Sequence, residues 1–214
     1  MNIFSISSIF VCISSLLMAI LVFTKSLNKN LSKIWGWFCL FVSLWGIASY
    51  KCSIATLREE AFVWWQIAYI STIVTPVVYS IFVNTLLDLN KKYVLFAAYV
   101  VAAFFLLLNV FSKDLFLSDL RFVFNQFYWH DWVKQKSLFF LSFYILFYWI
   151  LLLYFFSCLF LSFLREEGLK RNQLKYFILG SLIGWVGPHA FFLIDFGFNI
   201  YPLSNFLIAI YPIV

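Results

Sequence analysis

Seven stretches of this chain are long and apolar enough to cross a lipid bilayer, and that constrains what the rest can form. About 20 apolar residues at a helical rise of about 1.5 Å cover a hydrocarbon core of about 30 Å. Such runs occur at Ile3–Thr24, Ile34–Tyr50, Ala61–Leu87, Tyr93–Ser112, Ser137–Leu164 and Tyr176–Ile194. A seventh begins near Phe196 and is still apolar at Val214. Within these runs only His189 has a side chain able to carry charge. Lipid offers no partner to backbone N–H and C=O groups, so a spanning segment is a helix or part of a closed barrel. Barrel strands alternate apolar and polar residues over about 10 positions, and these runs do not.

The expected fold is therefore all-α: a polytopic transmembrane bundle of seven helices, forming one domain over residues 1–214. Its helices are expected near 3–24, 34–55, 61–87, 93–112, 137–164, 176–194 and 203–214. The last is short. About 12 residues follow Pro202, enough for about 18 Å of helix. Either that helix enters the bilayer without crossing it, or the natural chain continues; the second is the preferred reading. The composition agrees with a membrane protein, at 64% hydrophobic and 11% charged residues. Soluble domains lie near half apolar and about a quarter charged.

Charge in the loops sets the expected orientation. Lys25, Lys29, Lys33, Lys91, Lys92, Arg165, Lys170, Arg171 and Lys175 fall on one side. Lys51, Arg58, Lys113, Arg121, Lys134 and Lys136 fall on the other, nine against six, although the first set occupies less loop. Cytoplasmic loops carry the excess of Lys and Arg, so the N-terminus is expected outside and the C-terminus in the cytoplasm. Met1-Asn2-Ile3 lacks the basic start of a cleavable signal, which leaves the first helix as an anchor. The net charge of +6 then belongs to topology and anionic headgroups rather than to nucleic acid. The expected location is the inner cell membrane, with lipid as the main partner.

Sites of chemistry are scarce. Cys12, Cys39, Cys52 and Cys158 show no metal or redox spacing and read as packing residues. Serine-nucleophile, zinc-protease and paired-carboxylate motifs are missing, so neither enzyme activity, a cofactor nor a metal is expected. Pro76 in the third helix implies a kink or hinge. Gly180 and Gly184, with Gly187 and Pro188 after them, suggest close packing within the bundle, or homodimer contact as the alternative. The loop 112–136 ends in Phe127, Tyr128, Trp129 and Trp132, which read as an interfacial aromatic belt, or alternatively as a lid. Leu120, Phe122 and Phe124 alternate with Arg121, Val123 and Asn125, a weak hairpin pattern. Trp64, Trp65, Gln66, His189 and Asp195 fall near the outer helix ends and could line a shallow ligand pocket. Each also has a structural role available, as belt residue, loop charge or interhelical hydrogen-bond partner.

Two stretches resemble the seven-helix N-terminal region of bacterial sensor histidine kinases. One runs from Trp45-Gly46-Ile47-Ala48 through Trp64, Ile67-Ala68-Tyr69 and Thr75-Pro76 to Phe82. The other is RNQLKYFILGSLIGWVGPHAFFLIDFGFNIYPLSNFLIAIYPIV, with a basic-Asn-Gln start and a Tyr-Pro-x-x-Asn entry to the last helix. It departs from the family at Pro188-His189, where small residues are expected. The resemblance implies a membrane-embedded sensory input domain that signals through its last helix to a cytoplasmic output module, in cis or as a separate partner. A small transporter or channel-like protein is the alternative.

The topology has a direct test. Single cysteines at Lys29 and Lys170 are expected to be shielded from an impermeant maleimide in intact cells. Exterior labelling of both, or termini on one side, overturns it.

Overall fold

In lipid a helix keeps every backbone hydrogen bond within itself, and the long apolar runs fold accordingly. The structure is a computed structural model that describes residues 2–25, 29–117 and 119–213. Val214 and the side chains of Lys29, Lys113 and Asp114, on which earlier expectations fell, lie outside it. The long helices are α1 (Ile3–Lys25), α2 (Lys29–Ile54), α3 (Arg58–Leu86) and α4 (Lys92–Phe111). After α4 come the single turn α5 (Lys113–Phe116), a hairpin of β1 (Leu120–Val123) and β2 (Phe127–His130), and the turn α6 (Trp132–Gln135). A rod over Leu138–Arg165 follows. It joins α7 (Leu138–Ser142), a π-helical segment Phe143–Trp149 and α8 (Ile150–Arg165). The chain returns in α9 (Gly168–Asp195) and ends in α10 (Asn205–Ile210) with a 3-10 turn, Tyr211–Ile213.

Among the described residues six helices are long and apolar enough to span a membrane, not seven. The expected seventh is the short α10, which starts at the hairpin end of the bundle and leads its 3-10 turn down to Trp35 and Phe38 of α2. Two helices begin five or more residues before their apolar runs. α9 starts at Gly168 rather than Tyr176, and α2 at Lys29 rather than Ile34. Apolarity marks the length in lipid, whereas helical hydrogen bonds continue into water; ahead of α9, Glu166 pairs with Lys170 of its first turn at 2.5 Å.

Helices α1 and α2 approach each other through small residues. Ser5, Ser8, Ser15 and Ala19, spaced three, seven and four positions apart, share one face of α1 and are fully buried. Opposite them lie Ser49, Ser53 and Gly46 of α2, with Ser53 Oγ donating to Ser5 Oγ at 2.8 Å. Between helices in lipid, close van der Waals approach and interhelical hydrogen bonds supply the attraction. A Cβ on Gly46 would stand 2.5 Å from the Cys12 nitrogen and 2.9 Å from the Ser8 oxygen, both backbone atoms of α1.

The last segment packs on glycine as well. A Cβ on Gly184 would clash with the Tyr211 ring, and one on Gly187 would stand 2.8 Å from the Ser204 carbonyl oxygen. Gly180 is buried too. The Gly184 surface is therefore filled by the chain's own last segment, which removes it as a homodimer face. α3 and α9 remain continuous helices through Pro76 and Pro188. Proline donates no N–H, so Pro76 releases the Thr72 carbonyl from the helix ladder.

Gly46→Val is expected to lower the stability of the bundle by about 1–3 kcal/mol through overpacking, measured by thermal unfolding in detergent. An unchanged midpoint would show that α1 and α2 yield freely.

Candidate functional site

The segment between α4 and the rod folds into a plug rather than an interfacial belt. β1 and β2 pair antiparallel, Leu120 opposite His130 and Val123 opposite Phe127. Alternation along β2 sends Phe127 and Trp129 to the same face. Both are buried in the mouth of the bundle, at 0% and 1% exposure. Phe127 lies 5.0 Å from Phe4, and Trp129 lies 4.7 Å from Trp65 and 5.7 Å from Phe191, between ring centroids. Phe122 on the opposite face of β1 is exposed. The hairpin pattern is present, but burial in β1 does not follow strict alternation: Leu120 and Val123 are buried while Phe122 is exposed.

Polar contacts fasten this cap to three parts of the bundle. Trp65 Nε1 donates to the Tyr128 carbonyl at 2.9 Å, from α3. Arg121 donates to the Ile194 carbonyl, placing a cation at the negative end of α9. Tyr201, ahead of α10, donates to Gln126 Oε1 at 2.9 Å and accepts from the Phe4 nitrogen at 3.3 Å. At the rim Asp119 pairs with both Arg58 and Lys134. Partial desolvation would raise the Asp119 carboxyl. The Lys134 hydrogen bond and the Arg58 charge outweigh it and hold the group below its ordinary range. The stabilising contribution of this group is therefore present above the ordinary carboxylate range and lost as pH falls through its lowered value.

The centre of the site is Asp195, the last residue of α9, 2% exposed. Trp129 Nε1 donates to its Oδ1 at 2.8 Å and the Tyr69 hydroxyl to its Oδ2 at 3.2 Å. His130 Nδ1 stands 3.5 Å from Oδ1. Two of these partners come from the cap and one from α3. Beneath them lies a cavity of about 60 Å³ walled by Trp45, Trp65, Tyr69, Trp129, Phe191 and Asp195, reaching down to Thr72 and Pro188. A water requires roughly 10–15 Å³ of such space, so the cavity has room for water or a small polar group.

Of the five residues expected to share a shallow pocket, Trp65 and Asp195 meet here, in a space walled in part by Trp129 of the cap. Trp64 projects elsewhere, with Lys51 Nζ 5.6 Å from its ring. Gln66 turns to α4, in reciprocal hydrogen bonds with Asn109 at 2.8 and 2.9 Å. His189 lies six residues before Asp195, on another face of α9, and its Nδ1 contacts the Trp185 carbonyl. His189 and Asp195 do not pair. His130 takes that place instead.

Tyr69, Trp129 and His130 were missed because their partners lie 126, 66 and 65 positions away. The period-two spacing of Phe127 and Trp129 was the available signal.

A second polar knot lies deeper. The Tyr79 hydroxyl donates to Ser181 Oγ at 3.2 Å, and Ser181 and Tyr211 hydroxyls are 3.2 Å apart. Asn205 Nδ2 reaches Ser7 and Ser8 of α1, each at 3.0 Å. Among the described residues no group of three or more His, Cys, Asp or Glu is placed to hold a metal ion.

Fold and site together define a multi-pass helical membrane protein with an aromatic-walled, capped site at one end of its bundle. The chain belongs to the family described as the N-terminal 7TM region of histidine kinase, whose model matches residues 7–213. Comparison with curated proteins and with solved structures gives no match.

Trp129→Phe keeps most of the ring packing but removes one donor from a buried carboxylate. A loss of about 1–3 kcal/mol is expected, read by thermal unfolding in detergent. Restoration of the midpoint by Asp195→Asn in the same chain would assign the loss to the charge rather than to packing.

Proposed function

We propose that this chain is the sensory input domain of a bacterial signalling protein of the sensor histidine kinase type, with the cap as its sensing end. The hairpin faces the exterior of the inner membrane and the loops rich in Lys and Arg face the cytoplasm, in keeping with the nine-to-six division of basic residues. The chain performs no catalysis; a cytoplasmic output module does so, in cis or as a separate partner. Membership of the kinase N-terminal family supports the sensory assignment.

One observation carries the choice of site. The buried carboxylate of Asp195 is held by Trp129 of the cap and Tyr69 of α3 together, while Arg121 holds the neighbouring Ile194 carbonyl. Any ligand or condition that lifts the cap removes donors from a buried charge at the end of α9. The chain beyond it leads through Tyr201 into α10, which touches α1 at Ser7 and Ser8, while Tyr211 beyond α10 meets Ser181 of α9. Cap position and last-helix position are thereby coupled. A signal acts by binding one of two bundle arrangements better than the other. Typical coupling between two such sites amounts to about 5–150-fold.

The test uses membranes carrying the natural gene product with its output partner. Asp195→Asn and Trp129→Phe are expected to shift basal autophosphorylation by about fivefold or more, within the usual range of site coupling. Tyr211→Phe should diminish that shift. Unchanged output in both cap variants across about pH 5 to 8, with protein normally inserted, would overturn the reading. Substrate flux through proteoliposomes would favour the transporter alternative.

A further inference from the structure

A second cavity, separate from the capped site, lies between the π-helical segment with α8 on one side and α9 on the other. It encloses about 440 Å³, within the roughly 300–1,000 Å³ usual for small-molecule sites. Leu153, Leu182 and Leu193 form its lip and are 53%, 48% and 38% exposed. All three sit on membrane-length helices, so the opening faces lipid and an occupant would enter from the bilayer. The π-helical turn contributes Tyr144 and Trp149 to the wall. Such turns insert a residue into the helix, displace the side chains around it, and recur at functional sites.

His189 supplies the polar anchor. Its Nδ1 is engaged by the Trp185 carbonyl of its own helix, an acceptor, so Nδ1 carries the proton and the neutral ring presents a lone pair at Nε2. That atom is buried and has no hydrogen-bond partner among the described residues. The Trp149 ring packs beside it, centroids 4.0 Å apart. An unmet acceptor in an apolar wall calls for a donor. Among the described residues no Lys, Arg, Asp or Glu lines the cavity, so a charged head group would lose its hydration without compensation.

We infer that the cleft between α8 and α9 binds an uncharged, membrane-dissolved amphiphile of the long-chain alcohol class, its hydroxyl donating to His189 Nε2. The tail lies along Leu153, Phe156 and Leu182, and Trp149 turns aside to admit the head. This assignment stands independently of the sensory reading of the capped end. Occupancy would hold α8 and α9 apart by the width of an alkyl chain.

The full chain in phosphatidylcholine nanodiscs tests this with a diazirine-bearing 1-dodecanol and peptide mapping of the photoproduct. Labelling is expected on α8 and α9 around Leu153, Phe156 and Leu182, competed by excess 1-dodecanol but not by dodecane. His189→Leu should lower labelling about fivefold, the effect of one lost hydrogen bond, and His189→Gln should retain most of it. Leu182→Trp, at a lipid-exposed position that leaves the fold undisturbed, should block the cleft. Uniform labelling of the lipid-facing residues of α1 and α4, equal competition by dodecane, or indifference to Leu182→Trp would each overturn the inference.

Discussion

A carboxylate at the end of α9 is buried away from bulk solvent, and much of the capped end is arranged to make that tolerable. An ionised group moved out of water costs several kcal/mol even after relaxation. Asp195 offsets that cost with the Trp129 indole, the Tyr69 hydroxyl and the nearby His130 ring. None of these can be supplied by α9 itself. The hairpin must therefore sit in the bundle mouth, and α3 must present Tyr69 at the same depth. The aromatic walls then follow, because Trp45, Trp65, Phe4 and Phe191 fill the space around the donors. A charge that demands partners from separate elements is also a place where displacement of one element is felt by the others.

The other half of the design is steric. α1 and α2 are brought together by serines and Gly46, and the last segment rests on Gly184 and Gly187. Packing of this kind leaves little slack, since protein interiors are close-packed and shift between discrete arrangements rather than deforming continuously. The Tyr79–Ser181–Tyr211 contacts place three hydroxyls where that last segment meets α3 and α9. In the proposed sensory role, the cap and this knot are the two ends of one lever.

Much of the architecture was legible from residue order. The first six apolar runs correspond to six membrane-length helices, because the length of hydrocarbon to be crossed is a property of lipid. Boundaries at Lys29 and Gly168 were less legible, since a helix leaving lipid can continue in water. The site was legible only in part. Trp65 and Asp195 meet, whereas Trp64, Gln66 and His189 face a lysine, α4 and the lateral cleft respectively. Their positions near helix ends fixed depth but not azimuth. Trp129, expected in an interfacial belt, and His130 became the partners that matter because the hairpin packs into the bundle mouth and both are buried there.

Apolar run length and the spacing of basic loops are local quantities, and from them follow a lipid-embedded bundle and its expected orientation. Which rings surround which polar atom is a different kind of quantity. It depends on how helices rotate and how closely they approach, and those are decided by contacts between positions far apart in the chain. The pairing of Asp195 with the cap, the docking of Tyr211 on Gly184 and the cleft beside His189 therefore appear only once the helices have packed.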